Sequence, residues 1–298
     1  MRKSILAGAT ALAVAATGLA VTGITGATRS ASAAIGDVPA DCQARATAYR
    51  SDGQRLTYKY AAQQTSTEAL PGDNLGWVPT ALAPGADAGG ADSWTSSSLV
   101  THPTDGYLYL LQRAARRVDG EWKITKHTTT RLASGFAGTR ILAEGRFPFY
   151  YRVAGKSLYR FQVIYSADKP PTISTPVKMP GDAWDTVNTL RYRRTGGTAA
   201  APVHVLAGTK TNGQLKEWKF TETTPATVTS TVLRDVGWAG FTSLNTGFCN
   251  SHPNGGALLA VTAAGRASVH FDANATDSSG TDIKGGSIGS VGWTEKTY

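Results

Sequence analysis

The sequence has little of what metal, thiol and redox chemistry require. Its 298 residues include two cysteines and five histidines. The histidines, His102, His127, His204, His252 and His270, fall in no ligand spacing of the H-E-x-x-H kind, so no metal centre or cofactor is expected. The loop "TDSSGTD", with Asp277 and Asp282, lacks the ligand order of a calcium loop and reads as a polar turn. Ser287 stands in a G-x-S-x-G string, but a nucleophile elbow needs a helix after the serine and none is readable there. Glycoside hydrolysis needs two convergent carboxyls; Glu144, Asp182, Glu217 and Asp272 are candidates only by exclusion. No catalytic residue is assigned.

Long apolar runs are also missing, with one exception at the start. Arg2 and Lys3 precede an apolar stretch to about Ile24, and Ser30-Ala31-Ser32-Ala33-Ala34 offers small residues for cleavage. Residues 1–33 therefore read as a secretory signal peptide, which makes the mature chain extracellular and not inserted in a membrane. An uncleaved anchor fits less well, because glycine and threonine dilute the run and no polar stop-transfer flank follows. Leaving out Arg2, Lys3 and Arg29 leaves 27 basic against 21 acidic residues, a formal charge of +6 instead of +9. No nucleic-acid module accompanies that charge, and nucleic acid is not an expected partner. One cluster, Arg113, Arg116 and Arg117, would suit attachment to an anionic surface polymer; the plainer reading is a solvated strand face.

Cys42 and Cys249 both lie in the mature part, and an even count in an exported chain favours a disulfide over two buried thiols. Such a bond would tie the first residues of the mature chain to its last quarter.

What the sequence does have is short alternating runs rich in Thr, Val and Tyr, interrupted by turn signals, with no helical periodicity after the signal. The fold class is all-β. Five hairpins are marked by a small or polar residue followed by Gly53, Gly120, Gly155, Gly213 or Gly265. A second landmark is an aromatic that opens a strand, with an aliphatic residue six positions on: Trp94 with Val100, Phe136 with Leu142, Trp184 with Leu190, Trp238 with Leu244. An even offset puts both on one face of a strand. Trp293 is a fifth such aromatic. A Thr/Ser/Val segment after each hairpin reads as an outer strand. In the weakest part of the register, 71–93, Trp77 is an alternative first aromatic, but Trp94 is preferred and 71–93 reads as a Pro/Gly/Ala-rich loop.

The copy from about Ala46 to Leu70 has hairpin and outer strand without a first strand, and Val291–Tyr298 has only a first strand. The expectation is a five-bladed β-propeller of four-stranded blades over 46–298, closed by a composite blade from both termini, with 34–45 as an N-terminal segment.

Three stretches, "SWTSSSLVTHPTDGYLYLL", "SGFAGTRILAEGRFPFYYRVAGKSLYRF" and "VGWAGFTSLNTGF", resemble the tachylectin-2-like five-bladed propeller lectins. The resemblance implies carbohydrate sites near blade junctions, for N-acetylated amino sugars. Those repeats carry Asp-Asn-Trp before the outer strand; here Glu121-Trp122 approximates it. The candidate carbohydrate-binding residues are the aromatics Trp94, Trp122, Trp184, Trp238 and Trp293, whose planes suit a pyranose face, and the acids Asp92, Asp182 and Asp235, which accept hydrogen bonds from hydroxyls. The competing role of the aromatics is packing between blades, and that of the acids is turn formation. The expected function is a secreted, non-catalytic, monomeric carbohydrate-binding protein, multivalent through its repeats; a polysaccharide-cleaving enzyme and a protein-binding propeller are the alternatives.

Overall fold

The computed structural model describes residues 35–181, 183–223 and 226–298, so the expected signal segment 1–33 and Asp182 lie outside the described residues. The strands in chain order are β1 (Cys42–Tyr49), β2 (Arg55–Ala61) and β3 (Gln64–Glu68); β4 (Ala81–Gly89), β5 (Ser93–Thr101), β6 (Leu108–Val118) and β7 (Glu121–Ala133); β8 (Thr139–Glu144), β9 (Phe149–Ala154), β10 (Ser157–Ser166), β11 (Lys169–Ile173) and β12 (Val177–Lys178); β13 (Arg191–Gly197), β14 (Pro202–Thr209), β15 (Leu215–Thr221) and β16 (Val228–Arg234); β17 (Phe241–Cys249), β18 (Gly256–Thr262), β19 (Arg266–Asp272) and β20 (Lys284–Ser290). No α-helix occurs among the described residues, and none there is long and apolar enough to cross a membrane.

The sheets are antiparallel. Two have four strands, β4-β5-β6-β7 and β13-β14-β15-β16; one has five, β8 to β11 with β12 also on β10; and β20-β19-β18-β17-β1-β2-β3 forms a seven-stranded sheet. Several four-stranded antiparallel sheets in succession are consistent with a propeller. In the seven-stranded sheet β1 meets β17 with Cys42 opposite Cys249, and the two form a disulfide. The backbones come so close there that a Cβ on Gly247 would lie 1.9 Å from the Gln43 carbonyl oxygen, so no larger residue fits. The other end of β1 pairs with the C-terminal segment: Ala48 bridges Thr297, and Tyr298 N–H donates to the Thr47 carbonyl at 2.7 Å.

Period-two alternation builds the cores. On β2, Leu56, Tyr58 and Tyr60 are buried against the β17–β20 strands, while Arg55, Thr57 and Lys59 point to the other face. Each successive pair of strand groups shares an apolar cluster, and each cluster holds one landmark aromatic: Trp77 beside Leu82, Val100 and Leu111; Phe136 with Leu108 and Phe161; Trp184 with Trp218 and Phe220; Trp238 with Leu215 and Leu258; Trp293 with Tyr58 and Val269.

Several sequence expectations need correction. Residues 71–93 are not a loop throughout, since β4 occupies 81–89 and is the first strand of its sheet; Trp94 therefore starts the second strand. The segment "ALAPGADAG" has almost no β-branched or aromatic residues, and its extended state comes from pairing with β5 rather than from propensity. Pro84 is tolerated because β4 is an edge strand. As a result Gly120 joins third to fourth strand, whereas Gly155, Gly213 and Gly265 join second to third. All five hairpins exist, and all five glycines take positive φ, from 56° to 89°. Phe136 and Trp238 stand three residues ahead of their strands and Trp184 opens a short 3-10 helix, Trp184–Thr186, ahead of its own, so the shared strand face inferred from the six-residue offset does not apply. Finally, β1 begins at Cys42, ahead of the expected start at Ala46.

Candidate functional site

Four of the inter-sheet clusters bury eight or more residues, but the one between β1–β3 and β4–β7 buries six. Outside that small cluster the same two strand groups line a cleft of about 730 Å³ that also reaches Glu144 of β8, Arg191 of β13 and Asn245, Thr246, Gly247 and Phe248 of β17. Sequence alternation determines its lining. On the β1–β2 wall the register partners Arg45–Lys59, Thr47–Thr57 and Tyr49–Arg55 share one face. On the opposite wall β5 presents Trp94, Ser96 and Ser98, β6 presents Arg113, and β7 adds Trp122.

Arg113 organises that second wall. Its Nη1 donates to Asp73 Oδ2 at 2.8 Å and its Nη2 to Ser96 Oγ at 2.6 Å. The guanidinium lies 5.3 Å from the centre of the Trp94 ring, and the Trp94 and Trp122 rings are 6.5 Å apart at 49°. Arg117 covers Trp122 at 5.4 Å. Arg113 is 7% exposed, so this arginine is not on a solvated strand face as its sequence cluster implied; only Arg116 and Arg117 are. The difference is that Arg113 sits on the inward side of β6, where Asp73 supplies a counter-charge. Burial, and then the neighbouring Arg55, hold its pKa below the ordinary value. Burial likewise lowers His127, whose Nε2 is 3.6 Å from Asp73 Oδ1. Elsewhere on the rim Lys59 pairs with Glu68 at 2.5 Å.

Among the described residues, the cleft lining includes buried polar atoms without a hydrogen-bond partner: Arg55 Nε and Nη1, Arg113 Nε, Asp73 Oδ1 and Arg191 Nη1. Native interiors rarely leave such groups unpaired, and in an open cleft water or a ligand supplies their partners. At the inner end burial pushes the Glu144 carboxyl up to about 7, with the charge of Arg191 opposing and that of Asp87 adding to the rise.

Of the residues singled out from sequence, Trp94 and Trp122 line this cleft together. Trp184, Trp238 and Trp293 are 5–7% exposed within apolar clusters and present no open face. Asp92 and Asp235 are exposed outside the cleft, Asp92 accepting the Arg117 N–H through its backbone carbonyl at 2.9 Å. Asp182 lies outside the described residues. Glu217 and Asp272 are fully buried on Arg193, at 3.6 and 2.5 Å, in a closed ionic network. Beside that network is a smaller pocket of about 130 Å³ lined by Arg193, Arg194 and Thr246. The sequence reading missed Arg55, Asp73 and Arg113 as cleft residues. The alternation in "RLTYKYA" gave a signal for Arg55, but nothing local marks Asp73, which reaches Arg113 from a loop.

No protein-family model and no curated protein matches the chain. Among solved structures the chain is similar to AofleA from Arthrobotrys oligospora, at 10% identity and a TM-score of 0.41, covering 85% of this chain and 89% of that one. It is also similar to a triple arginine-to-alanine mutant of AofleA, at 9% identity and a TM-score of 0.44, covering 84% and 70%.

Proposed function

We propose that this is a secreted, non-catalytic carbohydrate-binding protein built on a five-bladed propeller whose last blade combines β1–β3 with the C-terminal segment. Five apolar clusters, each with one landmark aromatic, support the blade count. The bridge from Ala48 to Thr297 supports the composite blade, and the disulfide supports an oxidising compartment.

The observation that carries the binding function is the Trp94–Trp122 pair held open beside Arg113 in the cleft between the composite blade and the β4–β7 blade. A saccharide offers an apolar ring face and a hydroxyl rim, and this cleft offers indole faces and hydrogen-bonding groups within a few ångströms of each other. Four inter-sheet spaces are filled by larger apolar clusters, so one principal site is proposed in place of five equal ones. A polysaccharide ligand and, from the resemblance to tachylectin-2-like lectins, an N-acetylated amino sugar are the first probes.

The test is retention of the mature protein on a glycan array, beside a hydrolysis assay on every polysaccharide it retains. Retention that is competed by free oligosaccharide, without turnover, supports the reading. Turnover abolished by Glu144→Gln replaces it with the enzyme alternative, and absence of retention on all glycans removes it.

A further inference from the structure

We infer that the saccharide taken by this cleft is acidic, with a carboxylate or sulfate group received by Arg55; the inference rests on the carbohydrate reading above. The lining carries five cations, Arg45, Arg55, Lys59, Arg113 and Arg191, against four carboxylates, Glu68, Asp73, Asp87 and Glu144. Two carboxylates are committed, Glu68 to Lys59 and Asp73 to Arg113. Glu144 sits at the far inner end near Arg191, and Asp87, on the exposed lip, makes no ion pair among the described residues.

Arg45, Arg55 and Arg191 make no ion pair among the described residues; Arg45 is exposed, Arg191 lies beside Glu144, and Arg55, half-buried between the walls, has only the more distant charge of Asp87. Its Nη2 donates to the neutral Thr47 Oγ1 at 2.9 Å and the guanidinium lies against the Tyr49 hydroxyl, while Nε and Nη1 are buried with no carboxylate acceptor. A guanidinium with unused donors is a fork that fits a two-oxygen anion. Its surroundings add to the cost of leaving it so, because Arg113 is near enough to be depressed by its charge, and Arg45 stands directly opposite Lys59 across the β1–β2 ladder. Like charges facing each other across strands destabilise a sheet, and an anion bound between the walls would relieve both repulsions.

The test is titration of the folded protein with trigalacturonate, with a sulfated trisaccharide and with neutral maltotriose and chitotriose, for the native chain and for Arg55→Gln and Arg266→Gln. Arg266 is an exposed arginine of β19 outside the lining. The expected result is binding of at least one acidic trisaccharide about 10-fold or more tighter than the neutral ones, weakened about 10-fold by Arg55→Gln and unchanged by Arg266→Gln. Which acidic trisaccharide binds identifies carboxylate or sulfate as the group. Neutral trisaccharides binding as well as acidic ones would overturn the inference and leave the carbohydrate reading standing. Equal losses in the two variants would reduce the effect to general surface charge and overturn it too. Unchanged thermal unfolding of Arg55→Gln, read by tryptophan fluorescence, assigns its loss to the cleft; a variant that unfolds is replaced by Arg55→Lys, which keeps the charge without the fork and is expected to recover only part of the affinity.

Discussion

Arg113 and Asp73 face each other at 2.8 Å across the boundary between two sheets, the arginine on β6 and the aspartate on the loop that leaves β3. The pair is nearly inaccessible, with side chains 7% and 5% exposed, so its partners cannot fall back on water. Removing one charge leaves the other desolvated and unpaired. Asp73→Ala should cost about 3–5 kcal/mol in urea unfolding, whereas replacing both residues by apolar ones of similar volume should cost much less. Equal costs for the single and double variants would show that the pair is not coupled.

Trp122 and Trp238 separate binding from packing. Trp122 is half-buried at the cleft mouth, while Trp238 is 5% exposed among Leu215, Leu244 and Leu258. Trp122→Ala should lower affinity for a retained saccharide by about 10-fold with little change in unfolding midpoint. Trp238→Ala opens a cavity in an inter-sheet core and should cost about 3–5 kcal/mol. Calorimetric titration paired with chemical denaturation distinguishes the two; a destabilised Trp122→Ala of unchanged affinity would make that ring part of the packing.

The disulfide closes a loop with a sequence separation of 207 between Cys42 and Cys249. Chain-entropy reasoning puts its contribution at about 5 kcal/mol, less any residual order in the unfolded chain. Replacing both cysteines by alanine should lower the denaturant midpoint with at most a small change in the glycan profile, because the bond anchors β1, one wall of the cleft, but not Trp94, Arg113 and Trp122 on the other. A shifted glycan profile would tie the bond to the site instead.

The hairpins, the outer strands and four of the five landmark aromatics were legible in the sequence because each depends on local chemistry: a glycine at positive φ, a period of two, a bulky ring in a turn. The strand β4 was not, since "ALAPGADAG" has no strand propensity and is held by its neighbour β5, a non-local cause. Its omission shifted the register by one strand and moved the landmark from Trp77 to Trp94. The displaced residue nevertheless lines the cleft, for a reason unrelated to the repeat: Trp94 shares a face of β5 with Ser96 and Ser98. Asp73 and Arg113 are 40 residues apart in sequence and belong to different sheets, so only the closed arrangement shows that one neutralises the other.

Glu144 gives the protein a pH dependence whose sign can be worked out. Burial raises its pKa from 4.5 to about 7, with Asp87 adding to the rise and Arg191 opposing it. Between those values the folded protein keeps a proton that the unfolded chain has released. Stability contributed by this group is therefore greatest below pH 4.5 and declines as pH rises through 7, at about 1.4 kcal/mol per unit of pKa difference. In Glu144→Gln that decline disappears, and the stability difference between pH 5 and pH 8 should shrink by roughly 2 kcal/mol relative to the native chain. Urea unfolding at the two pH values measures it, and an unchanged difference would mean that the carboxyl is solvated and titrates normally. The charge that appears on Glu144 above pH 7 also enters the inner end of the cleft. An acidic saccharide should then bind more tightly at pH 6 than at pH 8, and Glu144→Gln should abolish that preference, while a neutral saccharide should show none.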